Sequence, residues 1–185
     1  MSEAIKIQAP FGKDVAKKLK AGDNVLISGT IIAARDAAHK ALTEALARGE
    51  KLPVELENET IYYLGPSPAK PGQVIGAAGP TTSGRMDKYT PTILDLGVSG
   101  MVGKGYRSKE VIDSIVKNGA VYMVAIGGAG ALISQTIKKY EVLAYPELGP
   151  EAVARLTVED FPAIVAIDSE GNNFYEAGQK PYIKI

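Results

Sequence analysis

The chain of 185 residues carries 21 Lys+Arg against 21 Asp+Glu, one histidine, and neither cysteine nor tryptophan. Zero net charge argues against a general cationic surface for nucleic acid or anionic membrane. The lack of cysteine excludes disulfides, a thiolate nucleophile, a Cys-type zinc site and a protein-ligated iron–sulfur cluster. With His39 alone, a histidine-rich metal site is excluded too. The chemistry left is that of carboxylates, hydroxyls, Lys, Arg, Tyr and backbone N–H groups. Length and a hydrophobic content of 45% suit one domain over residues 1–185. No run reaches the roughly 18 apolar residues of a membrane span, and the N-terminal stretch lacks the apolar core of a signal peptide. The expected location is the cytoplasm.

Ile5 and Ile7 alternate with polar residues, as in an edge strand. Val25-Leu26-Ile27 opens a buried-type strand that runs on to Ile31-Ile32-Ala33-Ala34. The period then changes. Ala34, Ala37, Ala38, Ala41, Leu42, Ala45 and Leu46 fall at i, i+3, i+4 spacing, which predicts an amphipathic helix closed by Gly49. Its alanine-rich face predicts close packing on a sheet. The glycine-rich middle reads as strands at 61–64 and 74–78, each stopped by Gly-Pro. A short helix follows at 90–96, and Met101-Val102 forms a strand leading into Gly103-Lys104-Gly105. Ser108 caps a helix that should turn Val111, Ile112, Ile115 and Val116 inward, with Gly119 at its end. Residues 120–126 form a continuous apolar run, the mark of a central strand buried on both faces. Gly127-Gly128-Ala129-Gly130 leads into a helix to about Lys138. The remainder reads as short strands at 142–145, 152–158, 163–167 and 173–176, with a hairpin turn at 168–172. The pattern predicts a mixed α/β domain with a parallel core sheet and additional antiparallel strands.

Three polar clusters carry candidate chemistry. Arg35-Asp36, with His39 and Lys40, stands where a strand gives way to a helix N-terminus, a place that favours anions. Gly79-Pro80-Thr81-Thr82-Ser83-Gly84-Arg85-Met86-Asp87 sets three hydroxyls between glycines ahead of an arginine that can grip an anion bidentately. Lys104, between Gly103 and Gly105, follows a strand and precedes a helix cap. Each cluster also reads blandly: a solvated first turn, a polar capping turn, a flexible loop. The second lacks P-loop spacing. Gly128-Ala129-Gly130 resembles the start of a dinucleotide fingerprint, but Ile133 stands at its third glycine.

Together, the runs from Ile27-Ser28-Gly29-Thr30 to Arg35-Asp36-Ala37-Ala38-His39, Gly79 to Met86, Gly103-Lys104-Gly105 and Asp160-Phe161-Pro162-Ala163 resemble the β subunit of class I fumarate hydratase. The same unit forms the C-terminal domain of single-chain class I fumarases and the small subunit of L-tartrate dehydratase. The resemblance implies a swivelling β/β/α domain, with a mostly parallel core sheet plus a second, smaller β layer. It implies a cysteine-containing α subunit holding a [4Fe-4S] cluster whose open iron acts as a Lewis acid, in a hetero-oligomer such as α2β2. This chain itself binds no cofactor under that reading, and alone it is inactive. By motif position Arg35, Arg85 and Lys104 match substrate-binding residues for a dicarboxylate, Thr81 the proposed base, and Thr82 a neighbouring hydroxyl. Asp36, His39 and Asp87 are candidates to support them from behind. Fumarate/malate is favoured over tartrate as substrate. The alternative of another class is a stand-alone anion- or nucleotide-binding module.

Overall fold

The computed structural model describes residues 3–179. Strand β1 (Ile5–Ala9) and a short helix α1 (Lys13–Ala16) precede β2 (Asn24–Ala33) and α2 (Asp36–Ala47). Strand β3 (Thr60–Tyr62) leads through a long irregular strap and a 3₁₀ turn, Ser83–Met86, into α3 (Thr90–Asp95). Then come β4 (Gly100–Gly103), α4 (Lys109–Asn118), β5 (Val121–Val124), α5 (Gly130–Thr136) and β6 (Ile137–Ala144). A second 3₁₀ segment, Pro146–Glu151, connects to β7 (Val153–Ile167), and α6 (Phe174–Gln179) follows.

All seven strands join one sheet in the order β1-β2-β3-β4-β5-β7-β6, with a further pairing between β2 and β7. That pairing closes β2, β3, β4, β5 and β7 into a five-stranded barrel, to which β1 and β6 are attached as outer branches. The strands β1 to β5 pair in parallel. Strand β7 runs antiparallel to β2, β5 and β6. The expectation of a mostly parallel core with added antiparallel strands therefore holds, but the extra strands hydrogen-bond into the same sheet and form no separate second layer. A closed barrel leaves its member strands no unpaired edge.

The period-2 alternation of the strands sorts the core. Val25, Ile27, Ile31, Tyr62, Val102, Val121, Met123, Leu156, Phe161 and Val165 come from all five barrel strands and share one buried cluster, the barrel interior. Their neighbours Ile32, Ile61, Tyr63, Met101 and Tyr122 turn outward into a second cluster with Ala38 and Leu42 of α2, Ile93 of α3 and Val111 and Ile115 of α4. The alanine face of α2 thus does pack on the sheet. Gly49 (φ 73°) ends α2, with its N–H on the Leu46 carbonyl and that of Glu50 on Ala45, a Schellman closure. Ser108 caps α4 by accepting the Val111 N–H, as its sequence predicts.

Several local expectations also fail: the helix expected to about Lys138 stops at Thr136, and the strand expected at 142–145 already begins at Ile137. Residues 74–78 form no strand. Prolines 66, 68 and 71 strip donors from the facing segment, and Gly76 sits where a Cβ would lie 2.2 Å from the Ser67 carbonyl. The two strands expected at 152–158 and 163–167 are one bent strand, β7, carried through its bulge by Asp160 at φ 49°. Residues 174–179 are helical, because Asn173 caps that turn by accepting the Tyr175 N–H through Oδ1. Val116 points outward, 45% exposed, while Ser114 takes a buried position on α4. No helix among the described residues is long and apolar enough to cross a membrane.

Candidate active site

Parallel strands end on one rim of the barrel, and the loops leaving those ends carry the candidate residues. Arg35 follows β2, Gly65 follows β3, Lys104 follows β4, and the loop 127–130 follows β5. Strand β7 runs the other way, with Ala154 opposite Ala33, so its start lies at that same rim and brings Glu151 there.

Arg35 is the first anchor. Its Nη1 donates to Thr81 Oγ1 at 3.4 Å, and its Nη2 donates to Glu151 Oε1 at 2.6 Å. The other carboxylate oxygen, Glu151 Oε2, accepts the Ala37 N–H at 2.9 Å. Glu151 therefore fills the helix N-terminus that the sequence suggested for a bound anion, since Arg35 itself supplies no side-chain cap to α2. Gly65 makes room for the guanidinium: a Cβ there would lie 2.5 Å from Arg35 Nη1. Asp36 bridges the two arginines. Its Oδ1 accepts from Arg85 Nε at 2.8 Å, and its Oδ2 faces Arg35 Nε at 3.6 Å. That last pair is too long for a hydrogen bond, and both atoms are buried without partners. Lys40 pairs with Glu44 and not with Asp36.

The threonine loop is stitched to both neighbouring strand ends. The Thr81 N–H donates to the Tyr63 carbonyl, and the Ser83 N–H to the Lys104 carbonyl. Thr82 forms a parallel bridge with Lys104. The Lys104 N–H donates to Ser83 Oγ at 3.0 Å, and Tyr122 Oη lies 2.8 Å from that oxygen and 2.9 Å from the Gly105 carbonyl. A carbonyl only accepts, so the phenol donates to Gly105 and the serine hydroxyl to the phenol, leaving both hydroxyls of this relay satisfied. Burial pushes the Tyr122 phenol well above its ordinary pKa, which keeps it a neutral donor. Gly103 is required here, because a Cβ would sit 2.0 Å from Ser83 Oγ. The side chains of Thr82, Arg85 and Lys104 are exposed, and Thr81 is half-buried.

Among the three supporting candidates, only Asp36 touches the cations. Asp87 has both oxygens engaged elsewhere, by Arg107 Nε (2.7 Å) and by the Ser108 N–H (2.7 Å). His39 is 1% exposed, and its Nδ1 meets the Arg35 carbonyl at 3.0 Å, which places the imidazole proton on that nitrogen. Its ring edge packs on Tyr63. Desolvation, aided by the Arg107 cation, lowers its pKa to about 4, so it is neutral at pH 7. It braces the Arg35 backbone and makes no hydrogen bond to Thr81. The fingerprint-like glycines are also absorbed: the Ala78 N–H donates to the Gly130 carbonyl, and a Cβ on Gly130 would lie 2.9 Å from the Gly79 nitrogen. Sequence reading missed Glu151 and Arg107, which nothing in their local pattern marks.

A half-open rim thus sets two arginines, a lysine and two threonines around a patch with carboxylates behind it. Cations and hydroxyls on such a rim can together hold a small anion. The family model "Fumarase C-terminus" matches residues 1–178, and the chain belongs to that family. A Salmonella typhimurium protein named "Fumarate hydratase class I, aerobic" is 45% identical over 81% of this chain, which corresponds to 26% of that protein. "Fumarate hydratase 2" of Leishmania major is 44% identical over 83% of this chain and 28% of its own length. A Methanocaldococcus jannaschii protein named "Putative L(+)-tartrate dehydratase subunit beta" is 43% identical over 94% of this chain and 92% of its own. The chain therefore spans about a quarter of the fumarate hydratases it matches, and nearly all of the tartrate dehydratase subunit.

Proposed function

We propose that this chain is the β subunit of a hydro-lyase that interconverts fumarate and L-malate, in a site completed by a larger α subunit. The observation that carries this reading is the Arg35 Nη1 to Thr81 Oγ1 contact of 3.4 Å. A threonine hydroxyl is a poor base unless its conjugate anion is stabilised, and a guanidinium N–H aimed at the oxygen does that. Arg85 spends only Nε on Asp36, which leaves its Nη edge for bidentate capture of one substrate carboxylate. Lys104, held by its backbone and exposed at its tip, meets the charge that builds on the other carboxylate as a proton leaves the adjacent carbon. Thr82 lies beside it as a further donor. Cytoplasmic location and closure of this domain as a swivelling unit over its partner belong to the same reading.

The [4Fe-4S] cluster implied by the resemblance finds no thiol here, since the chain has no cysteine, and among the described residues no group of acidic and histidine side chains could hold a metal. The cluster belongs to the partner in this proposal, and the steps above use only side chains of this chain. The near-complete match to a tartrate dehydratase subunit favours a second reading, dehydration of tartrate by the same residues. A nucleotide module is disfavoured, because Gly130 is occupied by backbone packing against Gly79.

Anaerobic reconstitution with the candidate α subunit, assayed on fumarate, malate and tartrate, tests class and substrate together. Activity on one of these pairs, lost in Thr81→Ala and absent from the chain alone, is the expected result. Hydration of fumarate by the purified chain would overturn the shared-site proposal. Near-normal turnover of Thr81→Ala would remove that residue as base.

A further inference from the structure

We infer that Glu151 is the positioning residue of the site: it fixes the Arg35 guanidinium so that Nη1 is presented to the Thr81 hydroxyl. The kinetic half of this inference rests on the hydro-lyase reading, and the geometric half does not. The guanidinium is boxed on three sides. Gly65 lies so close at the β3 end that a Cβ there would be 2.5 Å from Nη1, Asp36 Oδ2 faces Nε at 3.6 Å, and Glu151 takes Nη2 at 2.6 Å. The direction left for Nη1 is the Thr81 oxygen. The same carboxylate caps α2 through the Ala37 N–H, so one side chain ties both the helix end and the arginine. Arg35 and Glu151 are each about three-quarters covered, at 23% and 25% exposure, which shields their pair from solvent. With an anion already on the helix N-terminus, the site's anion-binding capacity moves outward, to the exposed Arg85 and Lys104.

This arrangement separates Glu151 from two other roles. A residue that merely occupied the substrate's place would compete with it, and its removal would lower KM. A residue that only stabilised the fold would change the folded fraction and leave the kinetics of folded enzyme intact. A positioning residue acts on kcat, because displacing a catalytic contact by about 1 Å can cost on the order of a hundredfold.

The test uses Glu151→Ala and Glu151→Gln in the reconstituted complex, with circular dichroism to normalise for folded protein. Glu151→Ala should lower kcat by about tenfold or more with KM changed less than about threefold, and Glu151→Gln, which keeps an acceptor, should recover part of the loss. A lowered KM with unchanged kcat, or activity that follows only the folded fraction, overturns the inference. In parallel, ¹⁵N spectra of the isolated chain report the Arg35 Nη groups, assigned with Arg35→Lys. Slowed rotation of those groups should be seen in the wild type, kept in Glu151→Gln and lost in Glu151→Ala. Unchanged Arg35 signals in Glu151→Ala also overturn it. If the wild-type complex is inactive on dicarboxylates, the hydro-lyase proposal fails, and the spectra still decide whether Glu151 holds Arg35.

Discussion

Arg35 reaches Thr81 at the start of the loop that ends at Asp87, and Arg107 holds Asp87 itself, yet the two arginines stand in opposite surroundings. The Arg107 side chain is 0% exposed. Its Nε goes to Asp87, Nη1 to the Tyr63 hydroxyl, Nη2 to Thr90 Oγ1, and its plane lies over the Tyr63 and Tyr122 rings. Desolvation opposes its charge, and the surrounding tyrosines and Asp87 outweigh that and hold its pKa above the ordinary arginine value. Arg35 keeps a partly open face, an unpartnered buried Nε and an unpartnered Asp36 oxygen beside it. A polar group whose every atom is satisfied internally has nothing left for a ligand, whereas unfinished pairing at a half-open rim is what a binding site retains. Charge type alone does not separate the two arginines; completion of their hydrogen bonding does.

The contrast can be broken by experiment. The largest effect should come from Arg107→Met, which leaves Asp87 without its cation and should cost about 3–5 kcal/mol in urea unfolding. Arg35→Met in the same assay should cost less, about 1–3 kcal/mol, because Glu151 keeps the Ala37 N–H when it loses the guanidinium, and equal losses would erase the distinction. Next is pH. His39 titrates near 4 in the native state against 6.5 unfolded, so the unfolded chain takes up the proton first as pH falls. Its contribution is complete above pH 6.5 and is lost progressively toward 4, about 3 kcal/mol in all. His39→Gln should flatten that window of the stability–pH curve, and an unchanged slope would place the titration elsewhere. Gly65→Ala should cost about 1–3 kcal/mol, because a Cβ there would lie 2.5 Å from Arg35 Nη1 and 2.9 Å from its Cδ and would displace the boxed side chain, while turnover of the complex falls with the Arg35–Thr81 contact. The smallest stability effect belongs to Lys104→Ala, within about 0.5 kcal/mol, with the stabilisation of developing carboxylate charge lost and seen as a lowered kcat.

Much of this site was legible because its parts are local. The β2–α2 junction announces itself by a change of period at Ala34, and the glycines around Thr81–Ser83 and Lys104 mark loops that must come close to other backbone. Glu151 could not be read in this way. It reaches Arg35 only because β7 runs back along β2, a pairing of residues far apart in the chain. Arg107 looked like another solvated loop cation, since its acceptors come from three separate elements. At 74–78 an apolar run and at 173–176 a short aromatic segment after a turn suggest strands, but prolines strip donors from the segment facing the first, and the Asn173 cap starts a helix at the second.

Barrel closure carries a kinetic consequence. Joining Asn24 to Ile164 and Val25 to Ala163 means closing a loop that contains nearly every other element. Such non-local pairing slows folding, because chain entropy is lost before the contacts repay it. During synthesis, strands β2 to β5 emerge first, and the outer hydrogen-bonding edges of β2 and β5 stay open until β7 has left the ribosome. The rim is finished at that same moment, since Glu151 arrives on the approach to β7. The fixing of Arg35 by Glu151 and the closure of the barrel are therefore one event.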